Sequence, residues 1–380
     1  MHSIISSICS FRPPNRSRRF IARQPVLFIM LVLIAALVAV SVRSPIARAA
    51  PAGFAAKQDF ATGANPRSVA TGDLNGDGKL DLAVANLNSN NVSVLLNATV
   101  PGAVTSNFTV KQDFAAGLGP VAVAVGDLNG DGKLDLVVAN FNSNNLSVLI
   151  NTTAPGAVTA SFADKQDVAT SEGPIYVTTV DLNGDGKLDL AVVDLLSNTV
   201  SLLLNTTGPG ASMLSFAPKQ DFATGDGPLA VALGDLNADG KLDLVVANFN
   251  FSNVSVLLNT TASGDTTLSF SGIQDFATGD GSAFVAMGDL NGDGKLDLAV
   301  ANFAFNTISV LLNTTIPGAT SATFANNQEF ATGTGPIFVT MGDVNGDGRL
   351  DLAVANLNSD NVSVLLNTTM PGAATPSFAT

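Results

Sequence analysis

The chain contains no Trp, one Tyr (Tyr176), one Cys (Cys9) and one His (His2). Cys9 and His2 both fall within the first 50 residues, a stretch that also lacks Asp and Glu. Beyond position 50 there is therefore no thiol for a disulfide or a covalent intermediate, and no imidazole. Imidazole is the usual general base at neutral pH and the usual transition-metal ligand, so much familiar enzyme chemistry is excluded at once. Beyond the first 50 residues no apolar pattern of 3.6-residue period is long enough for a helix.

The first 50 residues have seven Arg, with a basic stretch up to Arg23, an apolar run from Val26 to Val42, and small residues around Ala47-Arg48-Ala49. That layout is a secretory signal peptide over residues 1–49, cleaved after Ala49, with an uncleaved membrane anchor as the alternative. Residues 50–380 form a single exported domain on this reading, secreted or held at the cell surface. The whole chain has 18 basic and 31 acidic residues. Removing the seven leader arginines leaves 11 − 31 = −20. A protein so acidic is a poor partner for nucleic acid or an anionic membrane, and no membrane insertion is expected once the leader is gone.

What the chain does have is repetition. The string DLNGDGKLD starts at Asp73, Asp127, Asp181 and Asp289, with DLNADGKLD at Asp235 and DVNGDGRLD at Asp343, always 54 residues apart. Each unit carries four short apolar runs separated by Gly, Pro and Asn, the pattern of four β-strands. A sheet of this size cannot bury both faces alone, so neighbours must stack. The expected fold is all-β, a β-propeller of four-stranded blades. Six blades are expected, closed by a strand over 54–62 placed beside Val362–Leu366; a seven-bladed ring lacking one unit is the alternative.

Within each repeated loop, oxygen-bearing residues alternate. In the first they are Asp73, Asn75, Asp77, the Lys79 carbonyl and Asp81. The second has Asp127, Asn129, Asp131, Lys133 and Asp135; the third has Asp181, Asn183, Asp185, Lys187 and Asp189. The fourth has Asp235, Asn237, Asp239, Lys241 and Asp243; the fifth has Asp289, Asn291, Asp293, Lys295 and Asp297. The sixth has Asp343, Asn345, Asp347, Arg349 and Asp351. Calcium takes six to eight oxygens in flexible geometry, and alternate residues of a tight turn aim theirs at one point. One Ca²⁺ per repeat, about six in all, is the expected cofactor, with a structural role. The other reading is a bare Asn/Asp/Gly turn, but a bare turn does not need three mutually repelling carboxylates.

The succession of a strand, DxNxDGxxD, then LAVAN and an Asn/Ser run resembles the FG-GAP and VCBS repeats of integrin-type β-propellers. The resemblance covers Phe54 to about Ala374, although the FG and GAP portions are loose, as in Phe114-Ala115-Ala116-Gly117 with Gly119-Pro120. It implies calcium loops on one face of a propeller and ligand binding on the opposite face.

The expected function is thus a binding or adhesion module for an extracellular protein or glycan. Its candidate surface is the set of turns Asn86–Asn91, Asn140–Asn145, Asp194–Asn198, Asn248–Asn253, Asn302–Asn306 and Asn356–Asn361, with Phe141, Phe249, Phe251, Phe303 and Phe305 among them. The alternative is an extracellular hydrolase or lyase built on the propeller. Only Arg67, Glu172, Tyr176 and Asp194 break the repeat in a way an active site would, so no catalysis is expected. N-x-S/T triplets recur at Asn151, Asn205, Asn259, Asn313 and Asn367.

Overall fold

A computed structural model describes residues 56–379. The expected leader and Phe54 lie outside those residues. Among the described residues there is no helix, and every strand pairing is antiparallel. The first sheet consists of β1 (Pro66–Gly72), β2 (Asp81–Asn86), β3 (Asn91–Leu95) and β4 (Gln112–Ala115), in that order across the sheet. The second repeats it with β5 (Pro120–Gly126), β6 (Asp135–Asn140), β7 (Asn145–Leu149) and β8 (Gln166–Ala169). The third is β9 (Pro174–Val180), β10 (Asp189–Asp194), β11 (Thr199–Leu203) and β12 (Gln220–Ala223). The fourth is β13 (Pro228–Gly234), β14 (Asp243–Asn248), β15 (Asn253–Leu257) and β16 (Gln274–Ala277). The fifth is β17 (Ser282–Gly288), β18 (Asp297–Asn302), β19 (Thr307–Leu311) and β20 (Gln328–Ala331). The sixth has three strands, β21 (Pro336–Gly342), β22 (Asp351–Asn356) and β23 (Asn361–Leu365).

The second strand of each sheet reads Asp-Leu-Ala/Val-Val-Ala/Val-Asn/Asp and, in the second to fifth sheets, is buried along its whole length. A strand apolar on both faces has to be sandwiched, and it is: each core is shared by two successive sheets. Leu136 and Val138 of the second sheet pack against Val92 and Val94 of the first, and Leu298 and Val300 of the fifth against Val254 and Val256 of the fourth. This pairwise stacking is the physics of a propeller, in which a blade contributes one face to each neighbour.

Five such cores join sheets one to six in sequence, and among the described residues none joins the sixth to the first. The strand expected over 54–62 is not formed at residues 56–62, and among the described residues no strand pairs with the outer edge of β23. Gln58 Oε1 accepts the Ser106 N–H at 2.6 Å, and the Phe60 ring meets Phe108 edge-on at 5.0 Å. The fourth strands of the interior sheets make the same contacts with the following sheet while pairing with their own third strand, as Gln112 and Phe114 of β4 do with Ala160 and Phe162.

Candidate metal and ligand-binding sites

The six acidic loops each link the first and second strands of a sheet, so all lie on one side of the stack. Their geometry recurs. Asp73 accepts the Asp77 N–H at 3.0 Å and the Gly78 N–H at 2.7 Å. Asn75 Oδ1 accepts that same Asp77 N–H at 3.2 Å, so oxygens of the first and third positions converge on one point. Asp77 Oδ1 takes the Lys79 N–H at 3.0 Å, which folds the fifth position back over the turn. The same convergence is found in the second, third, fifth and sixth loops.

The fourth loop differs in one informative way. Asn237 Oδ1 is buried and has no hydrogen-bond donor. An orphaned buried acceptor is costly unless something cationic or protic meets it. The donors of each loop are all hard oxygens from carboxylate, amide and carbonyl groups, which suits Ca²⁺. The fourth loop also places Ala238 at φ 53°, where the other loops have Gly, such as Gly76 at φ 66°.

The ninth-position carboxylates do something the sequence did not reveal. Asp81 is fully buried; Oδ2 accepts the Leu74 N–H at 2.8 Å and Oδ1 the Asn97 N–H at 2.7 Å. It sits beneath the loop and pins it to the third strand's exit. Burial pushes its carboxyl above the ordinary value, and pushes Asp135, Asp189, Asp243 and Asp297 up to about 6. Among the described residues no three acidic side chains gather closely enough to enclose a metal by themselves. Asp73, Asn75, Asp77 and the backbone at Lys79 are brought together, with Asp81 supporting them from below.

A second function escaped sequence reading: the N-x-S/T asparagines are clamps. Asn205 is 1% exposed, and its Nδ2 donates to Leu188 O at 3.0 Å in its own sheet and to Leu128 O at 2.7 Å in the preceding one. Asn151, Asn259, Asn313 and Asn367 do the same. The triplets recur because the joint needs an amide, and the folded protein presents no free amide there for a glycan. The 54-residue recurrence itself was the signal.

On the opposite side lie the Asn-rich turns between second and third strands. Much of their polarity is used internally. Asn86 Nδ2 donates to Asn91 Oδ1 at 2.8 Å and Ser93 Oγ at 2.9 Å. Asn90, at φ 52°, holds the Gly119 N–H of the next sheet at 2.8 Å. Phe141, Phe249 and Phe303 lie against Gly173, Gly281 and Gly335 of the following sheet, so they are joint residues too. Phe251 and Phe305 are the exposed members of the aromatic set.

The side chains that break the repeat are mostly inside. In the third sheet Asp194 replaces Asn, and Ser171 replaces the Gly that elsewhere packs so close to that Asn that a Cβ would stand within 2.8 Å of it. The two changes are coupled: Ser201 Oγ now lies 2.5 Å from Asp194 and 2.7 Å from Asp221, while Lys219 reaches Ser171 Oγ at 2.8 Å. One hydroxyl hydrogen serves one carboxylate, and burial pushes Asp194 up to about 7. Arg67 is buried with Nε and Nη2 unpartnered, and burial lowers it to about 10. Tyr176 meets Phe284 at 6.3 Å, and Phe284 meets Phe338 at 4.3 Å. Glu172 alone of the four is exposed.

Sheets stacked through shared cores, with an acidic turn at the same corner of each, define a β-propeller repeat protein. The FG-GAP-like repeat model matches residues 73–138, 127–192, 181–246, 235–300 and 289–354. The chain belongs to the FG-GAP-like repeat family. No curated protein matches its sequence significantly. Among solved structures it is similar to BBS1N in complex with ARL6DN, at 14% identity and TM-score 0.49, covering 83% of this chain and 90% of that one. It is also similar to a lectin of Agrocybe aegerita that recognises non-reducing terminal N-acetylglucosamine, at 15% identity and TM-score 0.47, covering 78% and 79%. A third is virginiamycin B lyase from Staphylococcus aureus with quinupristin, at 13% identity and TM-score 0.45, covering 79% and 83%.

Proposed function

We propose that this is an exported, calcium-stabilised propeller that binds an extracellular protein or glycan and catalyses nothing. The observation that carries it is the division of labour between its two sides. One side repeats an oxygen-lined loop six times; the other holds the sequence variation and the exposed rings of Phe251 and Phe305.

In each loop the first, third and fifth positions and the carbonyl of the seventh would hold the ion, with the ninth-position Asp placing the loop. Bound calcium supplies positive charge where carboxylates would otherwise repel. Extracellular sites of this class bind at about 10⁻⁴–10⁻³ M. At ten times Kd each site contributes about 1.4 kcal/mol, so six amount to about 8 kcal/mol. That equals the whole stability of an ordinary domain.

Against catalysis stand the positions of the symmetry-breaking groups. Asp194 is engaged with Ser201, and Arg67 is buried in the first sheet. Phe251 and Phe305 offer flat apolar faces of the kind that stack on sugar rings or anchor peptides. A glycan and cell-surface-protein screen of the wild type beside Phe251→Ala and Phe305→Ala tests the reading. Loss of binding with unchanged melting supports it; binding indifferent to both changes, or hydrolysis of a captured glycan, defeats it.

A further inference from the structure

The acidic loops of the first five sheets are each bonded at three points to the sheet that follows. The first point is the third-position amide. Asn75, Asn129, Asn183, Asn237 and Asn291 donate from Nδ2 to a carbonyl of the next sheet, Ala157 in the first case, at 2.9–3.1 Å. The second is the backbone carbonyl of the same residue, which accepts the N–H of Gly156, Gly210, Gly264, Gly318 or Gly372 at 2.6–2.7 Å. The third is the Asn clamp. Asn151, Asn205, Asn259, Asn313 and Asn367 donate to the carbonyl of the preceding loop's second residue, such as Leu74 or Leu128, at 2.7–2.9 Å.

The third-position side chain therefore faces two ways. Asn75 Oδ1 stays in the loop, accepting the Asp77 N–H at 3.2 Å, while Nδ2 leaves it for Ala157 O. This explains the residue type. A loop built only to hold a divalent cation would gain from a carboxylate here, as it does at the first, fifth and ninth positions, yet all six units have Asn. An ionised carboxylate has no hydrogen to give and would meet the Ala157 carbonyl as acceptor against acceptor. The ninth position completes the frame. Asp135 Oδ2 accepts the Leu128 N–H at 2.9 Å, and Leu128 O accepts from Asn205 at 2.7 Å. The carboxylate beneath the loop is thus linked through Leu128 to the sheet beyond.

We infer that calcium binding in a loop and docking of the following sheet are coupled, with the third-position Asn as the positioning residue between them. This rests on calcium being the ion the loops take. With Oδ1 bound to a cation, the polarised amide is a stronger donor to the next sheet. The next sheet in turn holds Oδ1 aimed into the loop before any ion arrives. Such coupling is reciprocal: whatever calcium adds to the joint, the joint adds to calcium affinity. It also has a side. At the strand ends remote from the acidic loops, Gly119, Gly173 and Gly227 donate to Asn90, Asn144 and Asn198 of the preceding sheet at 2.8–2.9 Å. Those bonds join the same sheets without touching a loop.

The test is hydrogen exchange of the purified protein, read residue by residue by NMR with saturating calcium and after chelation, well below the melting temperature. Calcium should slow exchange at Gly156, Gly210 and Gly264 at least about fivefold more than at Gly119, Gly173 and Gly227. Equal slowing on both sides would mean that the ion tightens the whole fold, and it overturns the coupling. So does exchange indifferent to calcium while the ions are bound. A protein that binds no calcium defeats the metal reading itself, and the coupling with it. Asn205→Ala tests the reverse direction, since it removes a donor in the third sheet and alters no residue of the second loop. A calcium titration should then show one site weakened at least about fivefold and the others unchanged; all sites unchanged overturns the coupling. Asn129→Asp keeps an oxygen in the loop and loses the N–H. It should bind as many ions as the wild type, but calcium should no longer slow exchange at Gly210 beyond its effect at Gly173; wild-type protection of Gly210 overturns the role of the amide.

Discussion

The interior joints and the two end sheets are built from one repeated sequence, yet they differ in burial and bonding. Leu298 is fully buried, while Leu82, its counterpart in the first sheet, is only half-buried. Asn205 ties two sheets, while Asn97 ties none but its own. The difference teaches that the repeat is half a structure. Each unit's residues are apolar or amide-bearing because of a neighbour, and stability resides in the joints as much as in the units.

Removing calcium should have the largest effect. Chelation should lower the melting temperature steeply, corresponding to as much as about 8 kcal/mol over six sites. Hydrogen exchange should show the sixth loop opening first, since Asn345 lacks the inter-sheet bond of its counterparts. Calorimetry with and without chelator, with a count of bound metal, checks it. An unchanged melting curve with no bound calcium would sink the metal assignment.

Next comes a matched pair of cavities. Leu298→Ala should cost about 2–5 kcal/mol, and Leu82→Ala about half or less, because a half-buried site loses less and relaxes toward water. Denaturant midpoints of the two variants measure this, and equal losses would mean the end sheet is covered in solution.

The pH dependence separates the third sheet from its neighbours. Asp194 has a folded pKa of about 7, above the ordinary carboxylate value, so the folded state holds a proton that the unfolded chain releases. Its contribution is present at low pH and is lost as pH rises from about 4 through 7. Asp194→Asn should flatten that slope in melting temperature at fixed calcium; a slope identical to wild type would refute it.

The amide pair is smaller. Asn205→Ala strands the carbonyls of Leu128 and Leu188 and should cost about 1–3 kcal/mol. Asn97→Ala removes one intra-sheet donor and should cost less. Smallest, and opposite in sign, is Ala238→Gly. Relief of a left-handed Ala should raise stability by about 1 kcal/mol, read as a higher denaturant midpoint.

The strands, the shared cores and the corner loops were legible in the sequence, since a 54-residue period with alternating apolar runs admits little else. Asp73, Asn75 and Asp77 could be placed in one site from their spacing. Asp81 was read from the same spacing as a further ligand, but its bonds to the amides of Leu74 and Asn97 could not be foreseen, because those two residues are far apart in the chain and meet only when β1, β2 and β3 pair. The Asn-rich turns were read as a candidate binding surface from their composition. Their composition is polar, but Asn86 and Asn90 are used within and between sheets, leaving Phe251 and Phe305 as the exposed aromatics.

The sequence alone determined the repeated unit, because strand formation and loop geometry depend on residues near one another in the chain. The tertiary structure decided which identical residues are joints and which are surface. That depends on whether a neighbour stands beside them, and a repeat reads the same with a neighbour or without one. Val256 and Val364 occupy the same place in their units, and only the sheet beyond β15 makes one of them core.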